Sequence, residues 1–142
     1  MLPTLLLGLA LISADDTAIR TELAKLQGTW RQQILISNGK ESNIKDSGIV
    51  KTVVNKMNWE SHWKDGDVQK LEIKLYLDQS PKGIDLSKGD DVVLRAIYFV
   101  DGDHIVFRVG DPGKERPKDF GSTEGGETGG ITIYRRIKEN EK

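Results

Sequence analysis

The chain of 142 residues contains no cysteine. That excludes disulfide bonds, thiolate catalysis and acylation at a lipoprotein cysteine, and it leaves both redox compartments open. Charge of one sign is missing too: 21 basic residues face 22 acidic ones, for a net charge of -1. A nucleic-acid binder presents a basic face and an anionic membrane surface attracts a polybasic segment, so no nucleic-acid partner is expected and an anionic membrane finds no support. There are only two histidines, and aromatic residues make up 6% of the chain. Long apolar runs are absent as well. The longest, Leu5 to Ile12, falls well short of the roughly 20 residues that a membrane-spanning helix needs, so no integral membrane span is expected.

That apolar run fits a secretory signal over residues 1–14, with Ile12-Ser13-Ala14 as the cleavage site before Asp15-Asp16. A secreted or periplasmic protein follows from that reading. The first residues carry no Lys or Arg and Ile12 is bulky for such a site. The alternatives are an apolar extension packed on the domain, in a cytoplasmic protein, or a start codon assigned in the wrong place. Residues 15–142 have the length of one domain. A domain of that size buries roughly 70% of the surface its unfolded chain exposes, enough for a true core.

The organising stretch is Leu26 to Ile36. Ile19, Leu23 and Leu26 recur on one helical face, with Asp15, Asp16 and Thr17 as cap candidates at the start. Gly28 stands where a helix ends most easily on glycine. From Trp30 the period becomes two: Trp30, Gln32, Ile34 and Ile36 share one face, and Arg31, Gln33, Leu35 and Ser37 the other. Asn38-Gly39 is a hairpin signal, and Lys40 to Ser47 reads as a polar linker.

Strands then follow in quick succession. Met57, Trp59 and Trp63 share a parity with Val53 and Ser61, which predicts one half-buried strand with its aromatic face inward. Asp65-Gly66, Ser80-Pro81-Lys82-Gly83, Lys88-Gly89-Asp90 and Asp101-Gly102 are turns. Between them Leu71, Ile73, Leu75 and Leu77 alternate cleanly, Ile84 to Leu86 is a short strand, and Val92 to Val100 is apolar on both parities. Ile105, Phe107 and Val109 alternate again. Gly110 to Gly130 is long, glycine-rich and without a pattern, as functional or disordered loops are. Ile131 to Ile137 is the last strand.

Many short strands joined by tight turns predict an antiparallel meander, whose edges are best removed by closing into a barrel, although composition alone does not separate a barrel from a sandwich. Gly28-Thr29-Trp30 resembles the G-x-W start of the lipocalins. Four ordered blocks resemble a small lipocalin-like domain family of unassigned function that is widespread in planctomycete bacteria: Leu26 to Trp30, Leu77 to Leu86, Ile97 to Asp103, and Pro112 to Pro117 with Phe120. The resemblance spans roughly residues 23–137 and departs from the family between Ile44 and Trp63. It implies an all-β fold, an up-and-down lipocalin-like barrel of about eight strands after a short N-terminal helix. It also implies that the tryptophan of Gly28-Thr29-Trp30 packs across the closed end, with Arg135 or Arg136 over its ring.

No catalytic constellation stands out. His62 and His104 fall on outward parities, and a metal site would need them convergent. The Asp-Gly-Asp triplets at residues 65–67 and 101–103 lack the rest of a calcium loop and read as turns. No serine sits in a nucleophile elbow, and the glycines near Gly125 do not open a helix as phosphate loops do. An enzyme is therefore not expected, nor a cofactor. The Met57, Trp59 and Trp63 face, with Ile34, Ile73, Leu75, Tyr98 and Phe107 as further interior candidates, admits two readings. It lines a pocket for a small apolar or amphipathic ligand, with the long loop as a lid, or it fills the barrel as core. In the second case the protein is an exported interaction module whose exposed apolar patch meets a partner.

Overall fold

The computed structural model describes residues 14–37, 40–43, 48–110, 115–121 and 130–138. Among the described residues one helix, α1 (Ala14–Leu26), precedes nine strands: β1 (Gly28–Ser37), β2 (Lys40–Asn43), β3 (Ile49–Asn55), β4 (Asn58–Trp63), β5 (Val68–Tyr76), β6 (Lys82–Lys88), β7 (Asp91–Asp101), β8 (His104–Val109) and β9 (Ile131–Arg136). The leader expected over residues 1–14 and the Asn38-Gly39 turn lie outside the described residues, apart from Ala14, which opens α1.

All strands pair antiparallel with their neighbours, and β1 also pairs with β9, so eight strands close into a barrel. The first half of β1 pairs with β3 and its second half with the four-residue β2, which is an appendage on the same side. Lys40 to Asn43, read as linker from its polarity, is thus a strand whose partner is the backbone of β1.

α1 plugs one end of the barrel. Leu26 is fully buried, Leu23 packs on the core, and the Trp30 indole Nε1 donates to the Leu26 carbonyl oxygen at 2.9 Å. A buried indole N–H needs such an acceptor, and the last turn of a helix has carbonyls to spare. The Arg136 guanidinium stands 4.2 Å above the Trp30 ring, so Arg136 rather than Arg135 covers it. Arg136 also donates to the carbonyls of Gln27 and Lys25. Gly28 makes this possible. Its φ of +124° disfavours any L side chain, and a Cβ there would meet the Arg136 guanidinium at 2.7 Å.

Two irregularities change which side chains face inward. β1 carries a bulge between Gln32 and Ile34. Gln32 pairs with the inward Tyr134, but Ile34 pairs with Ile133 on the outer face, and Leu35 pairs with the buried Thr132. A bulge inserts one unpaired residue, so the period-two reading fails beyond Gln33 and Ile34 leaves the interior. The single strand predicted through Met57 is a hairpin, β3–β4, turning at Lys56-Met57 with Lys56 at φ +57°. Met57 therefore sits exposed in the turn instead of facing the core. The Lys56 amide donates to the Gln27 side-chain oxygen, which ties this turn to the plugged end.

Candidate functional site

Trp59, Ile73, Leu75, Tyr98 and Phe107 all belong to the buried core. Trp59 lies 5.0 Å from Phe107 and 5.6 Å from Tyr134, centroid to centroid, and Tyr98 meets Phe107 edge-on at 6.3 Å. These rings fill the barrel above the plug. Trp63 shares their parity, yet it comes at the end of β4, where the wall stops. It is 37% exposed, with its ring against Gly48. Of the eight interior candidates, Ile34, Met57 and Trp63 are therefore not in the core. Arg135 is on the outer wall beside Arg31 and His104.

Farther from the helix the interior changes character. Ser61 and Thr132 are the inward residues of β4 and β9, and the Gln32 amide donates to the Tyr134 hydroxyl at 3.3 Å. Burial pushes the Tyr134 phenol above its ordinary value, so it stays a neutral donor and acceptor. Leu71 is buried beside them, while Leu94 and Val109 are only partly covered. No described helix or strand crosses this end of the barrel.

A second constellation was not foreseen. Glu22 lies on the helical stripe of Ile19, Leu23 and Leu26 and is 5% exposed. One carboxylate oxygen accepts from Lys25 at 3.3 Å and Lys82 at 3.1 Å; the other accepts from the Tyr98 hydroxyl at 3.1 Å. These groups border a cleft of about 320 Å³ whose other walls are Ser80, Pro81, Phe99, Val100 and Phe120. An acid on the apolar stripe of a helix is the signal that would have found it: a buried carboxylate must be paired.

Burial pushes the Glu22 carboxyl up, but hydrogen bonds and charge from Lys82 and Lys25 outweigh it and leave the group below its ordinary 4.5. Burial, then the Glu22 charge, raises the Tyr98 phenol far above its usual range. A carboxyl with a depressed folded value contributes stability that is complete above pH about 4.5 and is lost as pH falls towards the folded value. Denaturation midpoints of the wild type and Glu22→Gln should therefore differ most at neutral pH and converge on acidification. A gap that does not change with pH would show that the ion pairs contribute nothing through this group.

The outer wall holds the third feature. Residues 115–121 run along the outside of β6, β7 and β8. Arg116 pairs with Asp85 and lies 4.4 Å over the Tyr76 ring, and Tyr76 donates to Asp85 at 2.9 Å. Gly83 leaves the space, since a Cβ there would meet the Arg116 side chain at 2.9 Å. Arg108 donates to the carbonyls of Asp119 and Gly121, and Phe120 meets Phe99 edge-on at 5.3 Å. The described part of the long loop is thus a strap on the wall; residues 111–114 and 122–129 lie outside the described residues.

His62 and His104 face outward, and the His62 ring lies 3.6 Å from the Glu60 carboxylate. Among the described residues no group of three or more His, Asp or Glu could hold a metal ion. No helix among them is long and apolar enough to cross a membrane. No protein-family model, curated protein or solved structure matches this chain.

Proposed function

We propose that the protein is an exported, lipocalin-like carrier that holds a small amphipathic molecule in the half of the barrel farther from α1. The observation that carries this reading is the asymmetry of the barrel. One end is plugged by the helix, Trp30 and the aromatic rings. Towards the other end the inward side chains become short hydroxyls beside aliphatics: Ser61 and Thr132 with Leu71, Leu94 and Val109. Mostly apolar walls with a few placed polar groups are the usual composition of a small-ligand site. The Gln32–Tyr134 pair supplies an oriented polar contact, and Trp59 forms the floor.

The test uses N-phenylnaphthylamine as a fluorescent apolar probe, with energy transfer from tryptophan as the readout. One saturating equivalent is expected. Adding bulk among these side chains with Thr132→Trp should weaken binding by about tenfold or more, equivalent to about 1.4 kcal/mol. Overpacking can itself destabilise by about 1–3 kcal/mol, so the smaller Ser61→Leu substitution is measured beside it. Equal affinity in all three proteins, or no saturable binding to any of them, would reject the carrier reading. In that event the exposed Val50, Trp63 and Val68 at the rim of β3, β4 and β5 become the better lead, as a surface for a protein partner.

A further inference from the structure

We infer that the cleft between α1, β7 and the strap is a second binding site, outside the barrel, for a small aromatic or short-chain carboxylate. Four separated segments build it: Glu22 and Lys25 from α1, Ser80 and Pro81 of the β5–β6 turn with Lys82 at the start of β6, Tyr98 to Val100 from β7, and Phe120 from the strap. Its volume of about 320 Å³ lies at the lower end of the roughly 300–1,000 Å³ range of small-molecule sites.

The chemistry of the walls selects the ligand. Two ammonium groups face one carboxylate, which leaves one positive charge. Glu22 is almost wholly buried, whereas the Lys25 and Lys82 side chains are 51% and 41% exposed. The carboxylate thus holds both lysines from behind while their remaining N–H donors stay open to the cleft. A lysine ammonium has three donors, and Glu22 takes one from each. An anion placed between them gains two charge-assisted hydrogen bonds. The opposite wall is apolar. Phe99 is 45% exposed, which is unusual for a large aromatic, and Phe120 stands against it edge-to-face. A ligand ring or short alkyl chain on Phe99, Val100 and Pro81 would cover that surface. Tyr98 cannot supply a charge, because its phenol stays protonated and already donates to Glu22.

The experiment is an amide-shift titration of the full chain by NMR with phenylacetate, and with phenylethanol and phenethylamine as neutral and cationic counterparts. Phenylacetate is expected to give saturable shifts at Lys25, Lys82, Val100 and Phe120, and to bind at least about tenfold more tightly than either counterpart. Lys82→Met should remove that preference, Lys82→Arg should keep it, and Phe99→Ala should weaken phenylacetate and phenylethanol alike. Thr132→Trp should leave the titration unchanged, which separates this site from the barrel interior. Equal binding of the three probes, shifts centred on Ser61 and Thr132, or no saturable shift would overturn the inference.

Discussion

Trp30→Ala is expected to be the most damaging single change in this protein, at about 3–5 kcal/mol, the range for deleting a large buried aromatic. The residue is fully buried, and three different interactions end on it. Its indole N–H satisfies the Leu26 carbonyl at the end of α1, its ring carries the Arg136 guanidinium at 4.2 Å, and it packs with Leu26 at the barrel floor. The cavity would sit where the helix meets the barrel, so the plug loosens with it. Domains of this kind have only about 5–15 kcal/mol of stability in total. Chemical denaturation measures the effect, with Trp30→Phe as the control. Phenylalanine keeps most of the volume and forfeits the hydrogen bond, so a loss of about 1–2 kcal/mol is expected. If the two variants cost the same, packing at the floor is not what Trp30 supplies.

The second large effect is expected at the strap. Asp85 receives Arg116 on one oxygen and the Tyr76 hydroxyl on the other, and its side chain is 7% exposed. Asp85→Ala leaves a guanidinium against the wall without its counter-charge, and breaking a buried pair from one side costs about 3–5 kcal/mol. Replacing both partners with apolar groups, as Asp85→Leu with Arg116→Met, removes the uncompensated charge and should restore much of that loss. The single variant should also free the strap. Ile97 faces outward on β7, opposite Gly83 and Arg108, yet it is fully buried, and its neighbour Phe99 meets Phe120. Trypsin should therefore cut at Lys118 sooner in Asp85→Ala than in the wild type. A stability change under about 1 kcal/mol, as for a surface pair, with unaltered cleavage would mean the strap stays in place without this pair.

The meander was legible from local signals because it is built from them, whereas its closure into a barrel came from the resemblance carried by Gly28-Thr29-Trp30 and the blocks that follow it. Asp65-Gly66, Lys88-Gly89-Asp90 and Asp101-Gly102 mark hairpins between neighbouring strands, and the alternation of Leu71, Ile73 and Leu75 identified an inward face. The failures have one physical origin: parity is a counting argument, and one extra residue inverts it. The bulge at Gln33 has no residue signature of its own, so Ile34 was placed inside. The Lys56-Met57 turn lacks glycine and proline, and its positive φ falls on a lysine, so β3 and β4 merged into one strand. Pairings across the fold were beyond reach for a different reason. Asp85 with Arg116 and Glu22 with Lys82 are 31 and 60 residues apart, and a composition with 30% charged residues offers too many equivalent partners. Glu22 was the exception that a stricter reading of the helical stripe would have caught.

The pairing of β1 with β9 also sets an order of events during synthesis. Gln32 and Tyr134 touch across 102 residues of chain, whereas the other strand pairings of the barrel join strands that are neighbours in chain order once the short β2 is set aside. Hairpins from β3 to β8 can form as they emerge from the ribosome, but the seam cannot close until β9 has been made. Pairings this remote pay their loop entropy before any contact rewards it, and they make folding slow. Until closure, β1 and β8 present unpaired backbone, an invitation to join strands from other chains. The window of greatest aggregation risk for this protein is thus the interval between the appearance of β8 and the capture of β9.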